Sequence, residues 1–167
     1  MRGKTKRLVT LSALIAVAMI LSYVESLIPP LVAVPGAKIG LSNIATVFAL
    51  YTLGGKEAVS VSLVRVCLSA LLFGNSVSLI YSVFGAALAL LFMLTFYKLK
   101  FFSSVGVSVI GGVAHNAGQI IAASIILETG AVAVYMAPLA VFGTLAGVLV
   151  GISAGILVTR VGKFLKL

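Results

Sequence analysis

Long apolar runs, separated by short polar gaps, extend through most of the chain. A helix that crosses a bilayer needs about 20 consecutive apolar residues, with a range of roughly 17–25. The pattern therefore predicts six transmembrane helices, over residues 8–28, 39–53, 58–73, 77–96, 105–127 and 132–158. None of the gaps is long enough for a soluble domain. We expect one all-α integral membrane domain over residues 1–167.

The composition supports a lipid environment. Hydrophobic residues make up 62% of the 167 residues and charged residues 9%, whereas a soluble domain has about 25% charged residues. The formal net charge of +9 would suggest nucleic-acid binding in a soluble protein. Here the cations lie mainly between apolar runs, where they determine topology. We expect the lipid bilayer, and no nucleic acid, as a partner.

The positions of the cations predict the orientation. With the N-terminus in the cytoplasm, ten of the twelve Lys and Arg residues fall on the cytoplasmic side. Cytoplasmic loops are enriched in Lys and Arg, so this count favours six spans with both termini inside. Lys38 and Arg65 are the two exceptions: Lys38 lies at the outer start of the second span, and Arg65 lies near the middle of the third.

Arg65 and other polar residues of the outer half form a candidate binding site. An ionisable residue within a span costs about 2.5–3.5 kcal/mol on insertion scales, so it usually faces the bundle interior or a watery cavity. A guanidinium forms forked contacts with carboxylate or phosphate, which favours an anionic ligand. The candidate substrate-binding residues are Arg65, Lys38, His115, Asn116, Gln119, Asn43, Glu25 and Tyr23.

Each of these residues also has a purely structural interpretation. Arg65 would then bridge to Glu25 or cap backbone carbonyls, with no ligand. His115 would be a hydrogen-bonded packing histidine, and Asn43 and Asn116 would join helices by interhelical hydrogen bonds. The sequence leaves both interpretations open.

Small residues at four-residue spacing mark two helix faces for close packing. In the sixth span such a stripe contains Gly143, Gly147, Gly151 and Gly155. The spacing is typical of helices whose backbones approach closely, and a helix of the same chain is the favoured partner. In the first span, Ser12 and Ala16 form a similar pair that could dock a partner membrane protein.

The sequence argues against catalysis by this chain. It has no aspartate and only three glutamates, which are far apart, so it lacks the clustered carboxylates that bind magnesium diphosphate. One histidine and one cysteine do not make a zinc site, and no phosphate-binding loop of the G-x-x-x-x-G-K-[ST] type is present. We expect no enzyme activity, no metal and no bound cofactor. Any ATP must be used by other chains.

The segments "PGAKIGLSN" (35–43) and "AHNAGQ" (114–119) carry a family resemblance. With the sequence around them, from about Leu8 to Val158, they resemble the bacterial heptaprenyl diphosphate synthase component I family, also called the Gx transporter family. That family is similar to the substrate-binding S components of energy-coupling factor (ECF) transporters.

The resemblance implies an S-component-like six-helix bundle in a bacterial plasma membrane. Such a protein captures a small anionic or amphipathic micronutrient from outside, with the loop Pro29–Lys38 as a lid. Its partners would be a transmembrane coupling protein, docked through Ser12 and Ala16, and two ATPase subunits. The alternative is an accessory membrane subunit of an enzyme in a prenyl diphosphate or quinone pathway.

Overall fold

The computed structural model describes residues 2–28 and 40–165, which are almost entirely helical. The segment 29–39, which contains Lys38 and the whole of the expected lid, lies outside the described residues. The helices are α1 (Arg2–Ser26), α2 (Asn43–Thr52), α3 (Gly55–Phe73), α4 (Ser76–Lys98), α5 (Ser104–Ile126) and α6 (Met136–Arg160). Short 3₁₀ helices cover Gly130–Tyr135 and Gly162–Leu165.

Among the described residues, four helices are long and apolar enough to cross a membrane, namely α1, α4, α5 and α6. Helix α2 has ten residues and therefore spans about 15 Å, half of a hydrocarbon core of about 30 Å. Helix α3 has 19 residues but includes Lys56, Glu57 and Arg65. The protein is thus a helical membrane protein with four clear candidate spans.

Two helices begin later than the apolar pattern predicts. Helix α2 begins at Asn43 rather than near residue 39, because Gly40 has a positive φ of 80° and the next two residues form a turn. Helix α6 begins at Met136 rather than near residue 132, after a 3₁₀ segment. Pro138 then falls in its first turn, where the missing N–H breaks no helical hydrogen bond.

Contacts between helices define two ends of the bundle. At one end, Arg7 of α1 lies 2.5 Å from Glu57 of α3 and also donates to the Leu53 carbonyl at the end of α2. At the other end, Glu25 of α1 accepts the backbone N–H of Gly40, just before α2. We call these the Arg7 end and the Glu25 end. Helices α1 and α3 therefore run in the same direction, with α2 antiparallel to both.

The core is built mainly from small apolar residues. Large apolar side chains face outward instead, as expected where the surrounding solvent is lipid. On α6 these include Val141, Leu145, Leu149, Ile152 and Ile156. The buried cluster draws on all six helices and comprises Ala18, Ala45, Val47, Ala49, Leu50, Ala58, Val61, Ala89, Met93, Val107, Val150 and Ala154.

The glycine stripe of α6 packs against α5. A Cβ added at Gly147 would lie 2.5 Å from the Cα of Val109, and one at Gly151 would lie 2.5 Å from the Cα of Val105. At Gly143 and Gly155 an added Cβ would meet Gly112 and Ser104 of α5. The stripe is therefore occupied within the chain, and these two helices approach closely along their length.

Candidate functional site

A cavity of about 80 Å³ lies among the six helices and extends toward the Glu25 end. Five of the predicted site residues line it: Glu25, Asn43, Arg65, His115 and Asn116. They come from α1, α2, α3 and α5, so the fold brings together polar residues that are up to 91 positions apart in the sequence. The volume exceeds the space of one water, which needs about 10–15 Å³.

Arg65 is the central polar group of this cavity. It lies eight residues before the end of α3, about 12 Å from the Glu25 end, and is 9% exposed. Its Nη1 donates to Ser42 Oγ at 2.6 Å, and its Nη2 donates to Asn43 Oδ1 at 3.3 Å. Its buried Nε has no hydrogen-bond partner among the described residues. Both partners are neutral, so these contacts do not neutralise the guanidinium charge.

Glu25 lies close to Arg65 but does not form an ion pair with it. The carboxylate is 8% exposed, lines the same cavity and attracts Arg65 electrostatically. Within the described parts of the chain, its Oε1 accepts a hydrogen bond from the N–H of Gly40, and no nitrogen of Arg65 lies within 4 Å. The direct bridge to Glu25, which is one of the two structural roles considered for Arg65, is therefore not formed.

Asn116 and His115 lie on the cavity wall and also hold helices together. Asn116 Nδ2 donates to the Leu139 carbonyl at 2.7 Å, which joins α5 to α6. The ring of His115 packs on Gly85 of α4, where an added Cβ would lie 2.8 Å from the ring. Each residue thus has a packing role beside its exposure to the cavity.

The remaining candidates lie elsewhere. Gln119 is 5% exposed and buried, but it is not among the residues that line the cavity. Tyr23 is 48% exposed, and its ring lies 5.2 Å from that of Phe73. Lys38 lies outside the described residues. Ser12 and Ala16 are exposed on α1, so the face predicted to dock a partner is open within the described part of the bundle.

Serine hydroxyls form a large part of the lining, although serines are not among the predicted substrate-binding residues. The Oγ atoms of Ser22 and Ser108 are buried without a hydrogen-bond partner among the described residues. The i, i+4 spacing of Ser22 with Ser26, and of Ser78 with Ser82, was a usable signal of polar helix faces. The lining serines are Ser22, Ser26, Ser42, Ser69, Ser78, Ser82 and Ser108.

The cavity combines a buried guanidinium, a carboxylate, amides and hydroxyls, which is a set of groups suited to binding a polar small molecule. In the described residues, no group of three or more His, Cys, Asp or Glu side chains is arranged to hold a metal ion. These features define a helical membrane protein with a polar internal cavity.

The chain belongs to the heptaprenyl diphosphate synthase component I family, the Gx transporter family, whose model matches residues 14–157. No curated protein matches the sequence. Among solved structures, the fold is similar to that of the S component of a bacterial ECF transporter. The TM-score is 0.72 at 23% sequence identity, and the match covers 98% of this chain and 99% of that one. The predicted S-component-like fold is thus supported over nearly the whole chain.

Proposed function

We propose that the protein is the substrate-binding subunit of an ECF-type importer and captures a small anionic or amphipathic molecule in the cavity around Arg65. The similarity to a solved S component supports this class of function. The polar cavity gives that function a place in this chain.

The observation that carries the proposal is the burial of the Arg65 charge without a charged partner in contact with it in the described part of the chain. A buried charge is costly unless it is paired and its hydrogen-bonding groups are satisfied. Among the described residues, Arg65 has neutral hydrogen-bond partners and a buried Nε without one, and it faces a cavity. A carboxylate or phosphate placed there would supply both the opposite charge and the missing acceptor.

The importer model includes several further proposals. The chain crosses a bacterial plasma membrane six times with both termini inside, and the Glu25 end faces outward. Ser12 and Ala16 on the exposed face of α1 dock a transmembrane coupling protein, and two ATPase subunits use the ATP. The chain itself is not an enzyme and binds no cofactor. The presence of Arg7 and Glu57 at the opposite end agrees with the cytoplasmic placement of that end.

An accessory subunit of a prenyl diphosphate or quinone pathway enzyme is the second candidate, favoured by the description of the matching family. Such a subunit would bind an isoprenoid tail without a coupling module. Without aspartate the chain lacks the carboxylate-rich motifs of a catalytic synthase, so catalysis would belong to the partner.

Co-purification from native membranes separates the two candidates. We expect the tagged protein, extracted in a mild detergent, to bring down a membrane protein and two ATPases in stoichiometric amounts. Ser12→Leu with Ala16→Leu should abolish this association, because bulky side chains block close helix approach. The matched control is Leu8→Ala, which changes an exposed residue of the same helix. Recovery of a prenyl synthase instead would overturn the importer proposal.

A further inference from the structure

The cavity contains two opposite charges that do not pair with each other. Glu25 and Arg65 are each more than nine-tenths buried, and both line the cavity. In the described residues, each makes its hydrogen bonds to the short segment that leads into α2: Glu25 to Gly40, and Arg65 to Ser42 and Asn43. The two charges are thus held apart on one side of the cavity.

The spacing of these contacts limits the distance between the two charges. Gly40 and Ser42 are two residues apart, and an extended chain advances at most about 3.3–3.6 Å per residue. Glu25 holds the backbone N–H of Gly40 and Arg65 holds the side chain of Ser42, and the Cα atoms of these two residues are therefore at most about 7 Å apart. A molecule that spans this distance is able to contact Glu25 with one end and Arg65 with the other.

We infer that the captured molecule is small and carries one anionic group together with one N–H donor or ammonium group, as a zwitterion does. Its anionic group binds Arg65 at the start of α2, and its donor group binds Glu25. This inference rests on the proposed function, because it assumes that the cavity holds a small molecule. It also names the substrate class of that cavity.

The charge balance of the lining supports this class. Among the described lining residues, Glu25 and Arg65 are the two that carry a full charge at neutral pH, so their sum is zero. The N-terminus of α2 adds the equivalent of about half a positive charge, and Asn43 at that terminus lines the cavity. A molecule with a single negative group fits the electrostatic field of these lining charges and of the α2 N-terminus. A diphosphate carries more negative charge, and among the described lining residues Arg65 alone would compensate it beside the Glu25 carboxylate.

The test compares two identical substitutions at the two ends of the bundle. The wild-type protein, Glu25→Gln and Glu57→Gln are purified gently from their own membrane, and the small molecules that they release are identified by mass and counted per chain. Glu25→Gln keeps an amide oxygen for the Gly40 N–H but loses the charge. Glu57→Gln makes the same change outside the cavity, where Glu57 pairs with Arg7.

We expect the wild-type protein and Glu57→Gln to release the same molecule, with one acid group and one N–H donor. Glu25→Gln should retain at least about tenfold less of it, because a charge-assisted hydrogen bond is lost. Wild-type amounts in folded Glu25→Gln, or a molecule without an N–H donor such as a diphosphate ester, would overturn the inference and leave the proposed function intact. If Glu25→Gln does not fold, the chemistry of the wild-type molecule alone decides. A wild-type protein that releases no small molecule overturns the proposed function, and the inference with it.

Discussion

Helices α1 and α3 share two arginine–glutamate pairs, and the structure shows an ion pair in only one of them. At the Arg7 end, the guanidinium of Arg7 contacts Glu57 at 2.5 Å, with the two side chains 51% and 14% exposed. Toward the Glu25 end, Glu25 and Arg65 are both more than nine-tenths buried, yet the structure places no ion pair between them. The partly exposed pair forms a contact, and the buried pair does not.

The difference separates a structural role from a binding role. An ion pair that is open to solvent usually contributes about 0–1 kcal/mol to stability. A buried charge without a charged contact is destabilising, so fold stability does not explain why Arg65 and Glu25 are kept apart. Their arrangement is explained if a bound molecule completes it. Stability should then depend on neither pair and should come from close helix packing instead.

The largest effect should therefore come from a glycine of α6. Gly147→Leu places a side chain where even a Cβ lies 2.5 Å from the backbone of Val109, and backbone atoms cannot rotate away. We expect a loss of about 3 kcal/mol in unfolding free energy, at the upper end of the usual cost of overpacking. Thermal unfolding in detergent measures it. The control is Gly3→Leu, because a Cβ at Gly3 meets nothing within 4 Å. Equal stability of the two variants would refute the role of this interface.

Arg65→Lys should have the next largest effect, and on binding rather than stability. Lysine keeps the charge but loses the planar fork that reaches Ser42, Asn43 and the cavity at once. We expect the bound molecule to be held roughly 10- to 100-fold more weakly, the equivalent of about 1.5–3 kcal/mol. Its retention during buffer exchange, followed by mass spectrometry, gives the ratio. Arg7→Lys is the matched control, and a similar loss there would contradict the comparison.

Asn116→Ala separates packing from binding at the cavity wall. The substitution leaves the Leu139 carbonyl without its buried donor, so unfolding should become easier by about 1–2 kcal/mol. Thr144→Ala removes an exposed hydroxyl of α6 and should change stability by less than about 0.5 kcal/mol. Chemical or thermal unfolding compares the two. Unchanged stability with loss of the bound molecule would show that Asn116 acts on the ligand alone.

The smallest effect should come from the ion pair between Arg7 and Glu57. A double-mutant cycle with Arg7→Gln and Glu57→Gln should give a coupling energy of about 0.2–1 kcal/mol, as for other exposed pairs. The coupling should shrink as ionic strength rises, because salt screens exposed charges. Unfolding curves at low and high salt measure both quantities. A coupling above about 2 kcal/mol that resists salt would mean that this pair, too, behaves as a buried one.

The sequence predicts the helices better than their ends. Apolar runs and the turn glycines indicate six helices, because lipid requires each backbone segment to satisfy its own hydrogen bonds. The start of α2 at Asn43 depends instead on Glu25 and Arg65, which hold residues 40–43 from other helices. Such contacts between distant residues leave no local pattern. The start of α6 could have been inferred from the sequence, since Pro138 is best accommodated in the first turn of a helix.

A site residue was predictable from the sequence where its side chain is unfavourable within an apolar helix. Arg65 is conspicuous because a guanidinium is expensive in an apolar helix. The lining serines are not conspicuous, because a hydroxyl in a helix can bond its own backbone, as Thr10 does with the Lys6 carbonyl. His115 and Gln119 are four residues apart and therefore share a helix face, yet only His115 lines the cavity. Which residues face a cavity depends on helix rotation, and that is set by packing.

The most direct test of ligand binding by Arg65 is the amount of small molecule bound by Arg65→Gln and by Arg7→Gln. Native mass spectrometry of each protein, purified gently from its own membrane, counts the molecules per chain. We expect the wild-type protein and Arg7→Gln to carry about one bound molecule per chain. Arg65→Gln should carry at least about 30-fold less, since truncating one partner of a buried charge contact costs about 2–5 kcal/mol. A folded Arg65→Gln protein that binds as much as the wild-type protein would contradict the account.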